Sequence, residues 1–134
     1  MLEIKVKNPG AELTSVKFNG KERLHDGKTF WDRQAPILFP TVGRLRDNKT
    51  VIEGKEYKIP QHGFAKDMDF ELIEKTKNKE IYELKSNEET LKKYPFKFVL
   101  NIEYEFTEDI LSTKIRVINK DDKNMIFGLG GHPG

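Results

Sequence analysis

Residues 96–117 constrain the fold more than any other part of the sequence. Apolar side chains recur at every second position from 96 to 106, and polar or charged residues occupy most positions between them. This period of two is typical of a β-strand with one buried face. An acidic turn, Glu108-Asp109, leads into a second alternating run at residues 111–117, which predicts an antiparallel partner strand. Such a pair has one apolar face that another layer of the protein must cover.

Shorter runs of the same kind predict that most of the remaining chain is also β-structure. Turn sequences such as Asn8-Pro9-Gly10 and Asn19-Gly20 separate them. Residues 86–93 have the polar start and the length of one short helix. With about nine strands, the sequence predicts an all-β fold, an antiparallel β-sandwich or barrel-like assembly. The other strands are predicted at residues 2–7, 13–18, 50–52, 57–59, 70–74, 80–85 and 125–129.

Composition excludes several classes of partner and site. The 134 residues fit a single domain, 1–134. The formal net charge is +2, from 24 basic and 22 acidic residues that are interleaved, so we expect no nucleic-acid partner. The chain has no cysteine, which rules out disulfides and thiolate metal ligands. It shows neither a signal-peptide block nor an apolar run of membrane-spanning length, so we expect a cytoplasmic protein with no membrane partner.

Two histidines flanked by glycine are the best candidates for a polar site. His62 lies in Gln61-His62-Gly63-Phe64-Ala65, and His132 lies in Gly130-Gly131-His132-Pro133. Glycine removes side-chain bulk beside the imidazole, so a ligand can approach the backbone there. Histidine exchanges protons near neutral pH. A histidine in a small β protein is also often a hydrogen-bonded structural residue, and the residues alone leave both interpretations open.

A long irregular connection from residue 25 to residue 47 is a second candidate region. Prolines and a glycine interrupt any regular element there. Long loops in compact domains often carry function. The aromatic and charged residues of interest are Trp31, Asp32, Arg33, Phe39, Arg44 and Arg46.

Four motifs occur together in an order that resembles the aldose 1-epimerase, or galactose mutarotase, family. They are Phe39-Pro40 with Gly43-Arg44, then Gly54-Lys55-Glu56-Tyr57, then the two histidine motifs. The match covers nearly the whole chain but only the N-terminal part of the family's domain. The resemblance implies a large antiparallel β-supersandwich, expected here in truncated form. It also implies interconversion of the α and β anomers of a free aldose by acid and base catalysis, without a cofactor or metal.

The resemblance assigns roles to individual residues. His132 matches the histidine that acts as general acid toward the sugar ring oxygen, and His62 matches the histidine that hydrogen-bonds the sugar. Arg44 matches the arginine of the Gly-Arg motif, which grips sugar hydroxyls, and Arg46 is the second choice because the spacing after the motif differs. The remaining expected substrate contacts are Gln61 and Trp31, the latter through its apolar face. Phe64 is the alternative apolar face, although core packing is the role expected of it.

The family's base has no counterpart among the motifs found. It is a glutamate near the C-terminal end of the full domain, in sequence that these residues do not contain. No motif supports Glu103 or Glu105 in that role, and both are expected on the wet face of a strand. We therefore expect weak or absent turnover, because loss of a general base commonly lowers a rate by about 10² to 10⁴.

Other functions remain open from the residues alone. One is a carbohydrate-binding module without turnover, and another is a structural domain that forms a homo-oligomer through unpaired strand edges. A metal site built on the two histidines needs a third ligand, for which the sequence offers no partner. The sugar is also open among hexoses, pentoses and phosphorylated sugars, the last because of the cations Arg44, Arg46 and Lys66.

Overall fold

A computed structural model describes the whole chain, Met1–Gly134, as a nearly all-β molecule. Its one α-helix, α1, spans Glu88–Lys93, and two 3-10 turns cover Arg46–Asn48 and Ala65–Asp67. No helix has the length and apolar character needed to cross a membrane. The strands are β1 Leu2–Lys7, β2 Glu12–Phe18, β3 Lys21–Glu22, β4 Ile37–Leu38, β5 Lys49–Ile52, β6 Lys55–Lys58, β7 Glu71–Lys75, β8 Lys79–Lys85, β9 Phe98–Phe106, β10 Leu111–Asn119 and β11 Gly130–Gly131.

All strand pairings within the sheets are antiparallel, as the alternating pattern predicts. The largest sheet has the order β10-β9-β8-β7, and a second sheet has the order β1-β2-β3. Two small ladders, β5-β6 and β11-β4, complete the set. In the longest pairing Leu111 lies opposite Phe106 and Asn119 opposite Phe98. The predicted all-β class with antiparallel sheets is confirmed.

Strand β9 supplies the centre of the core, as its alternation predicts. Phe98, Leu100, Ile102 and Tyr104 are at most 1% exposed. They pack with apolar residues of β2, β4 and the segment 64–70 in one cluster. The Tyr104 hydroxyl donates a hydrogen bond to the Ala11 carbonyl at 2.8 Å, which ties the largest sheet to the N-terminal hairpin. A buried tyrosine needs such a partner for its hydroxyl.

The short helix is fixed by its first turn. The Asn87 side chain accepts a hydrogen bond from the Thr90 amide at 2.9 Å, and the Thr90 hydroxyl accepts one from the Asn87 amide at 2.9 Å. This reciprocal capping box satisfies amides that the helix leaves unpaired. The helix predicted at residues 86–93 is therefore confirmed.

The strand predicted at residues 125–129 is wrong. The main chain there is held by single contacts: the Tyr94 hydroxyl donates to the Ile126 carbonyl at 2.7 Å, and the Gly128 amide donates to the Pro40 carbonyl at 2.7 Å. The strand forms directly after this segment, where Gly130 and Gly131 pair with β4. The count of about nine strands is also low, because β3, β4 and β11 are each two residues long and too short to show a period of two.

A buried carboxylate holds the start of the long loop. Glu12 is fully buried, and its Oε1 accepts hydrogen bonds from the amides of Gln34 at 2.8 Å and Ala35 at 3.0 Å. The Lys7 ammonium lies 2.8 Å from Oε2 as an ion pair rather than a well-aligned hydrogen bond. Burial alone raises the pKa of the Glu12 carboxyl, but Lys7 and the two amides outweigh it and hold that pKa below its ordinary value.

We predict that this carboxylate makes stability depend on acid pH. A lowered pKa in the folded state adds stability that is present above the ordinary glutamate pKa, about 4.3, and is lost as pH falls through the folded-state pKa. Glu12→Gln should lower the free energy of unfolding at pH 7 by about 1 to 3 kcal/mol and flatten its acid dependence. Urea unfolding from pH 7 to pH 3 measures both. The exposed Glu3 on β1 provides the control Glu3→Gln, and equal acid dependence in the two variants would contradict the prediction.

Two backbone segments cross at unusually short distance beside Gly63. The amides of Phe64 and Ala65 both donate to the Phe39 carbonyl, at 3.0 and 3.2 Å. Gly63 has φ +75°, and a Cβ atom there would lie 2.1 Å from the Phe39 carbonyl oxygen. Any residue other than glycine would have to push the two main chains apart.

We predict that Gly63→Ala destabilises the chain by more than about 3 kcal/mol, because left-handed strain and a backbone clash add together. Gly54→Ala is the matched control. Gly54 has φ +79°, but nothing lies within 4 Å of its added Cβ, so only the strain of about 1 to 2 kcal/mol applies. Thermal or urea unfolding compares them, and equal losses would show that the crossing is not as tight as described.

Candidate functional site: the two-histidine pocket

One pocket of about 380 Å³ gathers residues from three separate parts of the chain. Its size lies within the range of about 300 to 1,000 Å³ typical of small-molecule sites. The lining is polar, with few apolar side chains, which suits a ligand rich in hydroxyl groups. We call it the two-histidine pocket. It is lined by Trp31, Asp32, Arg33, Pro36, Pro60, Gln61, His62, Lys66 and His132.

His62 is presented to the pocket by a tight, left-handed turn. Its φ is +63°, and the Gly63 amide closes the turn by donating to the Pro60 carbonyl at 2.9 Å. The His62 amide donates to the Gly43 carbonyl at 2.8 Å, and the Gly43 amide donates back to His62 Nδ1 at 3.0 Å. These two bonds fix both the main chain and the ring of His62 against a neighbouring loop.

His132 enters the pocket from the end of strand β11. Its amide donates to the Pro36 carbonyl at 3.1 Å, which continues the ladder between β11 and β4. The His132 side chain is exposed, and its ring centroid lies 5.7 Å from that of His62. Residues 70 positions apart in the sequence therefore present two imidazoles to the same space.

Trp31 forms the aromatic wall beside His132. The two ring centroids are 4.9 Å apart, and the planes are tilted by 47°. On its other side Trp31 faces His25 at 6.2 Å, and His25 Nε2 lies 3.0 Å from the Trp31 carbonyl oxygen. His25 thus supports the tryptophan and does not line the pocket.

The two cations of the pocket wall share one carboxylate. Arg33 pairs with Asp67 and also donates to the Lys66 carbonyl at 3.2 Å. The Lys66 ammonium donates to Asp67 at 2.8 Å and to the Gly63 carbonyl at 3.0 Å. Burial raises the pKa of the Asp67 carboxyl, but both cations outweigh it and hold that pKa below its ordinary value. Asp67 therefore offsets one of the two positive charges that Arg33 and Lys66 bring to the pocket wall.

The structure brings together four of the six residues expected to form the site. His62, His132, Gln61 and Trp31 all line the pocket. Arg44 and Arg46 are exposed and are not among its lining residues. The Gly-Arg motif contributes to the site through the main chain of Gly43, which holds His62. The catalytic and binding roles of all six residues stay predictions.

Five lining residues were not among the expected site residues: Pro36, Pro60 and the charged residues Asp32, Arg33 and Lys66. Asp32 and Arg33 directly follow Trp31 and were residues of interest in the long loop, but no role at the site was predicted for them. Lys66 follows the histidine motif and reaches back to its Gly63 carbonyl. Glu103 does not line the pocket and instead accepts a hydrogen bond from Lys114 across β9 and β10. No group of three His, Asp or Glu side chains is arranged to hold a metal ion.

Comparison with known proteins identifies the family. The family model described as aldose 1-epimerase matches residues 1–134. The chain belongs to the aldose 1-epimerase family. This assignment agrees with the four motifs and with the antiparallel β architecture.

Solved structures and a curated relative of this aldose 1-epimerase family member extend the comparison. A galactose mutarotase related enzyme from Lactobacillus acidophilus is 43% identical, with a TM-score of 0.96 over 99% of this chain and 45% of that one. A galactose mutarotase-like protein from Lactobacillus casei is 39% identical, with a TM-score of 0.94 over 98% of this chain and 46% of that one. Protein LacX from Lactococcus lactis is 33% identical over 98% of this chain and 47% of its own length. The chain spans about half the length of these relatives.

We predict that Asp67 holds the cationic wall of the pocket in place. Asp67→Asn should lower the free energy of unfolding by about 1 kcal/mol, because both ion pairs are partly exposed and screened. Asp69→Asn is the control, since Asp69 is exposed and lies two residues away without a side-chain partner. Urea unfolding at low and high salt measures the difference. A loss in Asp67→Asn that does not shrink with salt would contradict an electrostatic role.

Proposed function

We propose that the two-histidine pocket binds a free aldose and takes part in exchanging its α and β anomers. The observation that carries the proposal is the convergence of Trp31, Gln61, His62 and His132 on one polar pocket. These residues come from three distant segments, and the resemblance to aldose 1-epimerases assigns His62 and His132 their roles at the sugar, with Trp31 and Gln61 expected as further contacts. The solved relative named as a galactose mutarotase related enzyme supports the same substrate class.

His132 acts as the general acid in this proposal. Exchange of anomers requires loss of the proton on the anomeric hydroxyl and gain of a proton by the ring oxygen, which breaks the bond between the anomeric carbon and that oxygen. The open aldehyde rotates and the ring closes on its other face. His132 is suited to the acid step because its ring is exposed to the pocket, and imidazole exchanges protons near neutral pH.

The remaining side chains bind and orient the sugar. Trp31 offers an aromatic face beside His132, against which the apolar C–H face of a sugar ring packs. Gln61 supplies an amide that both donates and accepts hydrogen bonds, as hydroxyl groups do. Asp67 offsets one of the two positive charges of Arg33 and Lys66, and the Asp32 carboxylate lines the same pocket, so we propose an uncharged aldose in preference to a phosphorylated one.

We further propose that residues 1–134 alone turn the sugar over slowly. The base expected from the family resemblance is a glutamate outside these residues. Asp32 is the carboxylate that lines the pocket without an ion-pair partner, while Asp67 is occupied by two cations. A missing general base commonly lowers a rate by about 10² to 10⁴.

Fluorescence and polarimetry test the proposal together. Trp31 is the sole tryptophan, so its emission should change on titration with glucose or galactose and should not saturate with their 6-phosphates. Polarimetry of fresh α-glucose and α-galactose measures turnover, and any acceleration should disappear in His132→Ala. Binding without acceleration would indicate a carbohydrate-binding module, and neither signal at high sugar concentration would overturn the proposal.

A further inference from the structure

The hydrogen bond between Gly43 and His62 decides which nitrogen of the imidazole carries the proton. The Gly43 amide lies 3.0 Å from His62 Nδ1. A main-chain N–H group can only donate, so Nδ1 must be the acceptor and cannot carry a proton in this arrangement. A neutral imidazole has one N–H group, and for His62 that group is therefore at Nε2.

Main-chain contacts on both sides of His62 hold the residue in this arrangement. The His62 amide donates to the Gly43 carbonyl at 2.8 Å, so the two residues are joined by a reciprocal pair of hydrogen bonds. On the other side, Gly63 is pinned against the Phe39 carbonyl by the close crossing. If Nδ1 carried a proton, it would face the Gly43 N–H, donor against donor.

We propose that the main-chain amide of Gly43 is a positioning group that locks His62 in the tautomer protonated at Nε2. In that tautomer His62 presents a hydrogen-bond donor to the pocket, so the ligand atom that it meets must be an acceptor. This rests on the proposed function only for the identity of that atom, an oxygen of the sugar. The tautomer of His62 itself follows from its hydrogen bond with the Gly43 amide.

The lock separates the tasks of the two histidines. The ring of His132 makes no hydrogen bond within the chain, so both its nitrogens are free to exchange protons with a ligand. His62 has one nitrogen committed to Gly43 and one donor directed to the ligand. His62 therefore orients the sugar oxygen, and proton transfer falls to His132.

Nitrogen NMR on the unsubstituted 134-residue chain tests the lock without any sugar. The spectra are recorded at about pH 8. We expect His62 to show only a protonated Nε2 and an unprotonated Nδ1, with a scalar coupling between Nδ1 and the Gly43 amide nitrogen. His132 provides the internal comparison and should show a mixture of tautomers without such a coupling. A His62 ring that mixes tautomers, or that carries its proton on Nδ1, would overturn the inference.

Two substitutions separate the donor from the lock. In His62→Asn the side-chain oxygen replaces Nδ1 as the acceptor from Gly43, asparagine tolerates the left-handed backbone, and the donor at the Nε2 position is lost. In His62→Gln an amide N–H reaches the Nε2 position, but the acceptor for Gly43 is lost. We expect His62→Asn to retain slow hydrogen exchange of the Gly43 amide and to lose sugar affinity by about tenfold. We expect His62→Gln to show fast exchange at Gly43.

The outcomes distinguish the two proposals. Absence of sugar binding by the unsubstituted chain would contradict the proposed function, whereas the tautomer and the coupling are measured without ligand and decide the lock by themselves. If the chain binds sugar and His62→Asn binds it equally well with its Gly43 amide protected, His62 is not the donor, and the inferred role fails. Fast exchange of the Gly43 amide in the unsubstituted chain would also contradict the lock.

Discussion

The close crossing of Gly63 over Phe39 is the constraint on which both the core and the pocket depend. The Phe39 carbonyl accepts two amides from residues 64 and 65, and the separation leaves no room for a side chain at 63. On one side of the crossing, Phe39 is fully buried and packs edge-on against Phe98 at 5.0 Å. On the other side, His62 is turned into the pocket. The position of the His62 imidazole therefore depends on the same glycine that lets Phe39 pack against strand β9.

Local periodicity was sufficient to predict the large elements of the fold. Strands β9 and β10 are long enough for their apolar and polar faces to be recognised in the sequence. The start of α1 is recognisable as a polar, capping-type sequence, and in the structure Asn87 and Thr90 form the capping box. The failure at residues 125–129 has a physical cause. That segment is as apolar as a strand, but its main chain bonds to the Tyr94 hydroxyl and to Pro40, partners that are distant in sequence. Pairing instead occurs at two glycines, which carry no side-chain pattern at all.

The candidate site was likewise predictable in part from the sequence and in part only from the structure. The two histidine motifs predicted Gln61, His62 and His132 as site residues, and the long irregular loop added Trp31. These patterns did not show that the Gly-Arg motif acts through the Gly43 amide, with Arg44 exposed. Side-chain direction in an irregular loop is set by tertiary hydrogen bonds rather than by spacing. For the same reason the sequence marked Arg33 as a residue of interest but did not predict its partner Asp67, 34 residues away.

The distance between the two histidines is set by main-chain contacts with one segment, Pro36–Gly43. His132 is fixed by the Pro36 carbonyl at one end, and His62 is fixed by Gly43 at the other. The start of the same segment is anchored by the buried carboxylate of Glu12 through the Gln34 and Ala35 amides. Backbone hydrogen bonds are less able to rearrange than exposed side chains, because each buried amide left unpaired costs about 1 to 3 kcal/mol. The spacing of the two main-chain positions that carry the imidazoles is therefore a property of the fold.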